Sequence, residues 1–118
     1  MEIRNVLERL KFLTNDDRED LLLMLSGDAV QRLKARLCCT EEEENAQEEA
    51  LCAAAAAQAA YQFWLLEEAA SPKSLTAGEV RAEFDKGSER ALAYAKQCER
   101  AVSGLLRDED FYFGVTED

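Results

Sequence analysis

Residues 41–70 read EEEENAQEEALCAAAAAQAAYQFWLLEEAA. Ala, Leu, Glu and Gln, which lose least on entering a helix, fill most of this stretch, and neither Gly nor Pro interrupts it. At about 1.5 Å per residue a helix over all of it is a rod of roughly 45 Å, long for a chain of 118 residues. The run Ala53–Ala60 is broken only by Gln58, and Tyr61, Phe63, Trp64, Leu65 and Leu66 follow it. Small side chains let neighbouring helices come close, and the aromatic end fills volume. The stretch reads as a central helix over 41–70 with the rest of the chain packed around it. Thr40 and Glu43 fit a capping box, and the acids suit the positive end of the helix dipole. The alternative at this end is a loop over 40–46, with the helix starting near Ala46.

Towards the N-terminus, Ile3, Val6, Leu7, Leu10 and Leu13 recur at helical spacing, which predicts a helix over about 2–13. Thr14-Asn15-Asp16-Asp17 breaks the pattern with residues that hydrogen-bond their own backbone. Asp16 and Glu19 can then serve as cap and third-position acid for a second helix, over about 16–39. Its apolar stripe is Leu22, Leu25, Ala29, Leu33 and Leu37; Gln31, Asp28, Arg32 and Arg36 lie opposite, as a solvated face. Gly27 inside this helix costs roughly 1 kcal/mol relative to Ala, which points to a close helix contact there.

Towards the C-terminus, Ser71-Pro72 ends the central helix. Val80, Ala82 and Phe84 then alternate with Glu79, Arg81 and Glu83, so 78–84 reads as a short half-buried strand led in by Gly78. Asp85-Lys86-Gly87-Ser88 reads as a turn. A last helix over about 88–107 carries Ala91, Ala95, Cys98, Val102 and Leu105 as a seam for the central helix. Phe111, Phe113 and Val115 alternate with Tyr112 and Gly114 in a second extended segment, 111–115, able to pair with the first within the chain or on a neighbouring copy. A lone two-stranded ribbon is marginal in water, so it must rest on helices or on a partner. The expectation is one all-α domain, a four-helix bundle-like fold with a short two-stranded or extended segment.

Composition narrows the functions. The net charge of −11 is concentrated in residues 40–70, which hold eight acidic groups and no basic one. Binding to phosphates needs a basic patch, so free nucleic acid is a poor direct partner. The longest uncharged run, Ala50–Leu66, is mostly Ala with two Gln and falls short of a membrane span. No basic start followed by an apolar run appears, so secretion is not expected. The four cysteines (Cys38, Cys39, Cys52 and Cys98) show no paired metal spacing, and the chain has no His. Zinc is therefore not expected, and the thiols read as buried and free in a reducing cytoplasm. Without His there is no His-based general base or nucleophile pair, and the glycines form no phosphate loop. Adjacent glutamates at 41–44 point around a helix rather than converge on a metal. No catalytic, cofactor or metal residue is expected, and the chain reads as a binding or structural protein rather than an enzyme.

Three passages carry a family resemblance. The first is Asn15-Asp16-Asp17 leading into Asp20-Leu21-Leu22-Leu23-Met24-Leu25 and Asp28-Ala29-Val30. The second is Ala53 to Trp64. The third is Leu75-Thr76-Ala77-Gly78-Glu79-Val80-Arg81-Ala82-Glu83. In these, and in helix order, the chain resembles the small phage head–tail connector proteins, the head-completion adaptors of tailed phages and prophages. The Glu41–Glu44 run and the aromatic tail have no counterpart in the resemblance. It implies a non-enzymatic subunit that docks below the portal protein, self-associates on it into a dodecameric ring, extends the DNA channel and receives the next tail component. The place implied is the bacterial cytoplasm during assembly and then the virion neck. The contact segments implied are Gly78, Glu79, Val80, Arg81, Ala82 and Phe84 with Phe111, Tyr112, Phe113 and Val115. Glu41, Glu42, Glu43, Glu44, Glu79 and Glu83 are the candidates to face the channel, where like charge repels passing DNA over about 8–10 Å. Two rivals stand beside it. One is an acidic helical adaptor or DNA mimic that binds another protein; the other is an enzyme subunit without chemistry of its own.

Overall fold

The computed structural model describes residues 1–70 and 78–106, with 78–86 as backbone alone. Every long element is helical. These are α1 (Ile3–Thr14), α2 (Glu19–Arg36), α3 (Glu41–Ala46), α4 (Glu48–Ala70) and α5 (Gly78–Ala101), followed by a 3₁₀ turn, Ser103–Leu105. No strand occurs among the described residues; one isolated antiparallel bridge joins Leu37 to Leu106. The fold is an all-α, bundle-like domain, as the sequence predicts.

The bundle is organised around α4, which packs against α1, α2, α3 and α5, while α1 also packs against α2. Leu51, Cys52, Ala54, Ala55, Ala56, Ala57, Gln58, Ala59, Ala60 and Phe63 are all buried. Four successive buried alanines point to every side of a helix, so α4 has no solvent face over this span. α1 contributes Val6, Leu7 and Leu10; α2 contributes Leu22, Leu25, Ala29, Val30 and Leu33; α5 contributes Ala91 and Ala95, with Val102 beyond it. At Thr14 the hydroxyl donates to the Leu10 carbonyl at 2.9 Å. Asn15 then takes the left-handed conformation (φ 53°) and its N–H returns to the Lys11 carbonyl at 2.8 Å, which closes α1.

The structure corrects several expectations. The predicted rod over 41–70 is divided at Gln47 into α3 and α4. The capping box forms: the Thr40 hydroxyl accepts from Glu43 N–H at 3.1 Å, and the Glu43 carboxylate accepts from Thr40 N–H at 3.0 Å. The break falls where six glutamates crowd positions 41–49 and no residue of α3 is buried. Like charges a turn apart weaken a helix that has no packing to hold it.

The strand predicted over 78–84 is instead the start of α5, and Asp85–Ser88 is helix rather than turn. Five alternating residues are too few to overcome the helix propensity of Glu, Arg, Ala and Lys. The seam spacing of the last helix also continues backwards through Gly87, Phe84 and Val80, in steps of three or four. Gly87 serves close packing instead of a turn: it faces Trp64, and an added Cβ would lie 3.1 Å from two indole carbons. Gly27, expected at a close contact, has open space where a Cβ would go. α2 starts at Glu19, and Asp16 is not its cap: the Asp16 carboxylate instead accepts from Arg18 N–H at 2.8 Å, a local turn. Arg36, expected on a solvated face, is buried and paired with Glu99 of α5. Of the four thiols only Cys52 is buried; Cys38 is exposed and Cys39 and Cys98 are half-buried. The 111–115 segment lies outside the described residues.

Candidate interaction surface

Two surfaces stand out: an acidic corner at the α3–α4 junction and an apolar groove between α1 and α5. At the corner Glu41, Glu42 and Glu43 are exposed, whereas Glu44 turns inward. The Met1 amine lies 3.2 Å from both Glu44 and Glu48. Glu48 also accepts from Glu2 N–H at 3.0 Å and from the Cys52 thiol at 3.4 Å. Burial works to raise the Glu48 carboxyl, but these donors outweigh it and hold the group below its ordinary range. Burial likewise works to lower the Met1 amine, and the two carboxylates outweigh it, so the amine is raised. The Cys52 thiol is raised, first by burial and then by Glu48, which keeps it protonated and inert. The corner therefore holds an inner pair of carboxylates that share the single Met1 amine and an exposed outer fringe of Glu41 and Glu42. Among the described residues, no grouping of side chains is able to hold a metal ion.

The groove has a floor of Ala53 and Ala56 from α4. Its walls are Glu8, Arg9, Phe12 and Leu13 of α1 and Tyr94 of α5, and it encloses about 320 Å³. Phe12 is 86% exposed and Tyr94 39%. Small residues on α4 make the floor low, while α1 and α5 each lean on α4 without closing over it. The Tyr94 hydroxyl is raised, mainly by its hydrogen bond to Cys98 one turn on and then by burial. The tyrosine is thereby held as a neutral wall, suited to apolar contact rather than acid–base work. At the far end of α4, Arg18 joins the α1–α2 turn to the bundle. Its guanidinium bonds Asp16 and Glu67, each at 2.8 Å, and stands 5.5 Å from the Phe63 ring centre.

The predicted contact residues divide accordingly. Gly78, Glu79, Val80, Arg81, Ala82, Glu83 and Phe84 fall in the opening turns of α5, away in sequence from the acidic corner. Phe111, Tyr112, Phe113 and Val115 lie outside the described residues. Sequence reasoning missed the groove. Its one available signal was Phe12, an aromatic off the Ile3–Val6–Leu10–Leu13 stripe. Comparison of the chain with family models, with curated proteins and with solved structures finds no match in any of the three.

Proposed function

We propose that the chain is a non-enzymatic structural subunit of a phage or prophage head–tail connector, docking below a portal protein and assembling there into a ring. The observation that supports this reading is the alanine-rich α4 clasped by α1, α2 and α5, a rigid helical body of the kind a ring subunit needs. A ring subunit needs a rigid wedge with a heterologous contact on each side, and a helix buried all round is a stiff spine for one. The reading rests on the first two passages of the resemblance, because the third is helical from Gly78 onward. Ring contacts are accordingly assigned to helix faces and to Phe111–Val115, with no strand at 78–84. Exposed Glu41 and Glu42 suit a lumen that DNA must slide through without sticking.

A second reading, an acidic adaptor that mimics DNA towards a basic partner, draws on the same fringe and on the lack of basic residues from 40 to 70. It is weakened because Glu44 and Glu48 are engaged by the Met1 amine and Glu67 by Arg18, which leaves fewer free acids to face a basic partner. The deciding experiment mixes the purified chain with portal rings from the same genome and follows co-sedimentation. Stoichiometric rings on the portal support the connector. Failure to bind any portal, together with tight and strongly salt-dependent capture of a DNA-binding protein, would favour the mimic.

A further inference from the structure

Phe12 is 86% exposed, and it borders the groove floored by Ala53 and Ala56, a space of about 320 Å³. About 150 Å³ already takes a benzene-sized ring, so the groove has room for one phenyl side chain. Knob and hole thus stand side by side on one surface. An exposed aromatic next to apolar space marks a surface made to be covered. We propose that the cover is a second copy of this chain, each copy seating its Phe12 ring in the other's groove about a two-fold axis. The proposal goes beyond the connector reading and does not rest on it. A two-fold pair is closed and cannot continue round a ring, so this face serves the free subunit and ring contacts use others.

The geometry of α1 favours that occupant. Its wall of the groove is Glu8, Arg9, Phe12 and Leu13, a stretch of roughly 8 Å at about 1.5 Å per residue. The midpoint of that wall falls between residues 10 and 11. A two-fold axis over the midpoint runs the two α1 helices antiparallel and sets each Phe12 opposite position 9 of the other copy, inside the wall. The ring is then within reach of the Arg9 guanidinium, a cation–π contact, and faces half-exposed Tyr94 across the groove. Charge agrees as well. Neither Glu8 nor Arg9 forms an ion pair with another described residue. Across the axis the Glu8 carboxylate of one copy faces the Arg9 guanidinium of the other, twice. The rim is therefore balanced in a chain of net charge −11, and two copies meet there without the like-charge cost their acidic corners would bring. A different partner would need an aromatic and an acid–base pair in this same register; a second copy supplies both by symmetry. The face is small beside the about 20–30 residues a side of a standard interface, so the pair is weak and forms and parts with concentration.

The test is sedimentation of the full chain, kept reduced so that exposed Cys38 forms no disulfide. The mass should rise from one chain to two between micromolar and millimolar concentration. Phe12→Asp should weaken the pairing by about tenfold or more, with helical circular dichroism unchanged because the side chain is exposed. Leu23→Asp, at an exposed site on α2, should leave the pairing as it is. Glu8→Arg and Arg9→Glu should each weaken it alone, and an equal mixture of the two variants should restore it, since unlike charges then meet on both sides of the axis. In nuclear magnetic resonance of mixed, differently labelled copies, contacts should run from the Phe12 ring of one copy to the Ala53 or Ala56 methyl of the other. The mass of one chain across the whole range overturns the proposal. So do a pair that Phe12→Asp leaves intact, an assembly that grows beyond two chains, and a mixture no tighter than its components. Should Phe12→Asp lose helical content, the charge-variant mixture decides in its place. None of these results bears on portal assembly, which the co-sedimentation experiment reads separately.

Discussion

Gly27 and Gly87 sit in helices of the same bundle and call for opposite substitutions. At Gly27 an added methyl meets nothing within 4 Å, so Gly27→Ala gains helix propensity and restricts the unfolded chain. Thermal unfolding should show it more stable by about 0.5–1 kcal/mol. At Gly87 the same methyl lands on the Trp64 ring. Gly87→Val should push α5 off α4, lowering stability by roughly 1–3 kcal/mol as overpacked sites do and changing the emission of Trp64, the only tryptophan. Arg36 and Glu99 show how burial changes the weight of a charge pair. Glu99→Ala leaves the guanidinium buried with a partner removed and should cost about 2 kcal/mol, less than a fully enclosed pair because Glu99 keeps some solvent contact. Replacing both, Arg36→Met with Glu99→Leu, should recover most of that loss in denaturant titrations. Gln58 was visible in the sequence as the one interruption of an alanine run, yet its burial with an unbonded side-chain oxygen was not. Propensity belongs to the residue, whereas satisfaction of a polar atom depends on neighbours from other helices.

At the scale of elements, α3 is held by charge and α4 by packing, and the two should respond differently to pH. The Met1 amine is raised above 8.0, so its bond to Glu44 and Glu48 is at full strength below pH 8 and is lost as pH rises through the raised value. The Glu48 carboxyl is lowered from 4.5, so its contribution is complete above pH 4.5 and is lost as pH falls through the lowered value. Amide exchange over α3 should therefore be slowest, relative to α4, between these limits. Acetylating the Met1 amine should abolish the alkaline limb and leave the exchange of Ala54–Ala60 unchanged. Equal changes in both helices would contradict a local clamp. In α4 the sensitive quantity is volume. Ala60→Trp, at a site 4% exposed, should melt the bundle at a lower temperature or prevent its folding. The strand expected over 78–84 failed at this same scale: a short alternating run is ambiguous, and the longer three-and-four spacing through Val80, Phe84 and Gly87 to Ala91 was the stronger pattern.

For the whole molecule, the consequential features among the described residues are a helical clasp around α4, an acidic corner and an apolar groove. No helix among the described residues is long and apolar enough to cross a membrane. On the connector reading, deleting 111–118 should leave helical content intact but weaken assembly on portal rings several-fold in co-sedimentation; undiminished assembly would remove the tail from the contact. Glu41→Lys with Glu42→Lys should leave assembly intact and slow DNA passage or packaging, which a packaging assay reads directly.

The helical class, the central place of α4, the capping box at Thr40 and most of the core were legible from the residues alone. These follow from propensity and from spacing along one chain, which are local properties. The break of the rod at Gln47, the accommodation of Trp64 at Gly87, the burial of Arg36 against Glu99 and the groove between α1 and α5 emerged from the folded arrangement. Each of these depends on distances between segments far apart in sequence, where packing and charge from several helices meet at one point.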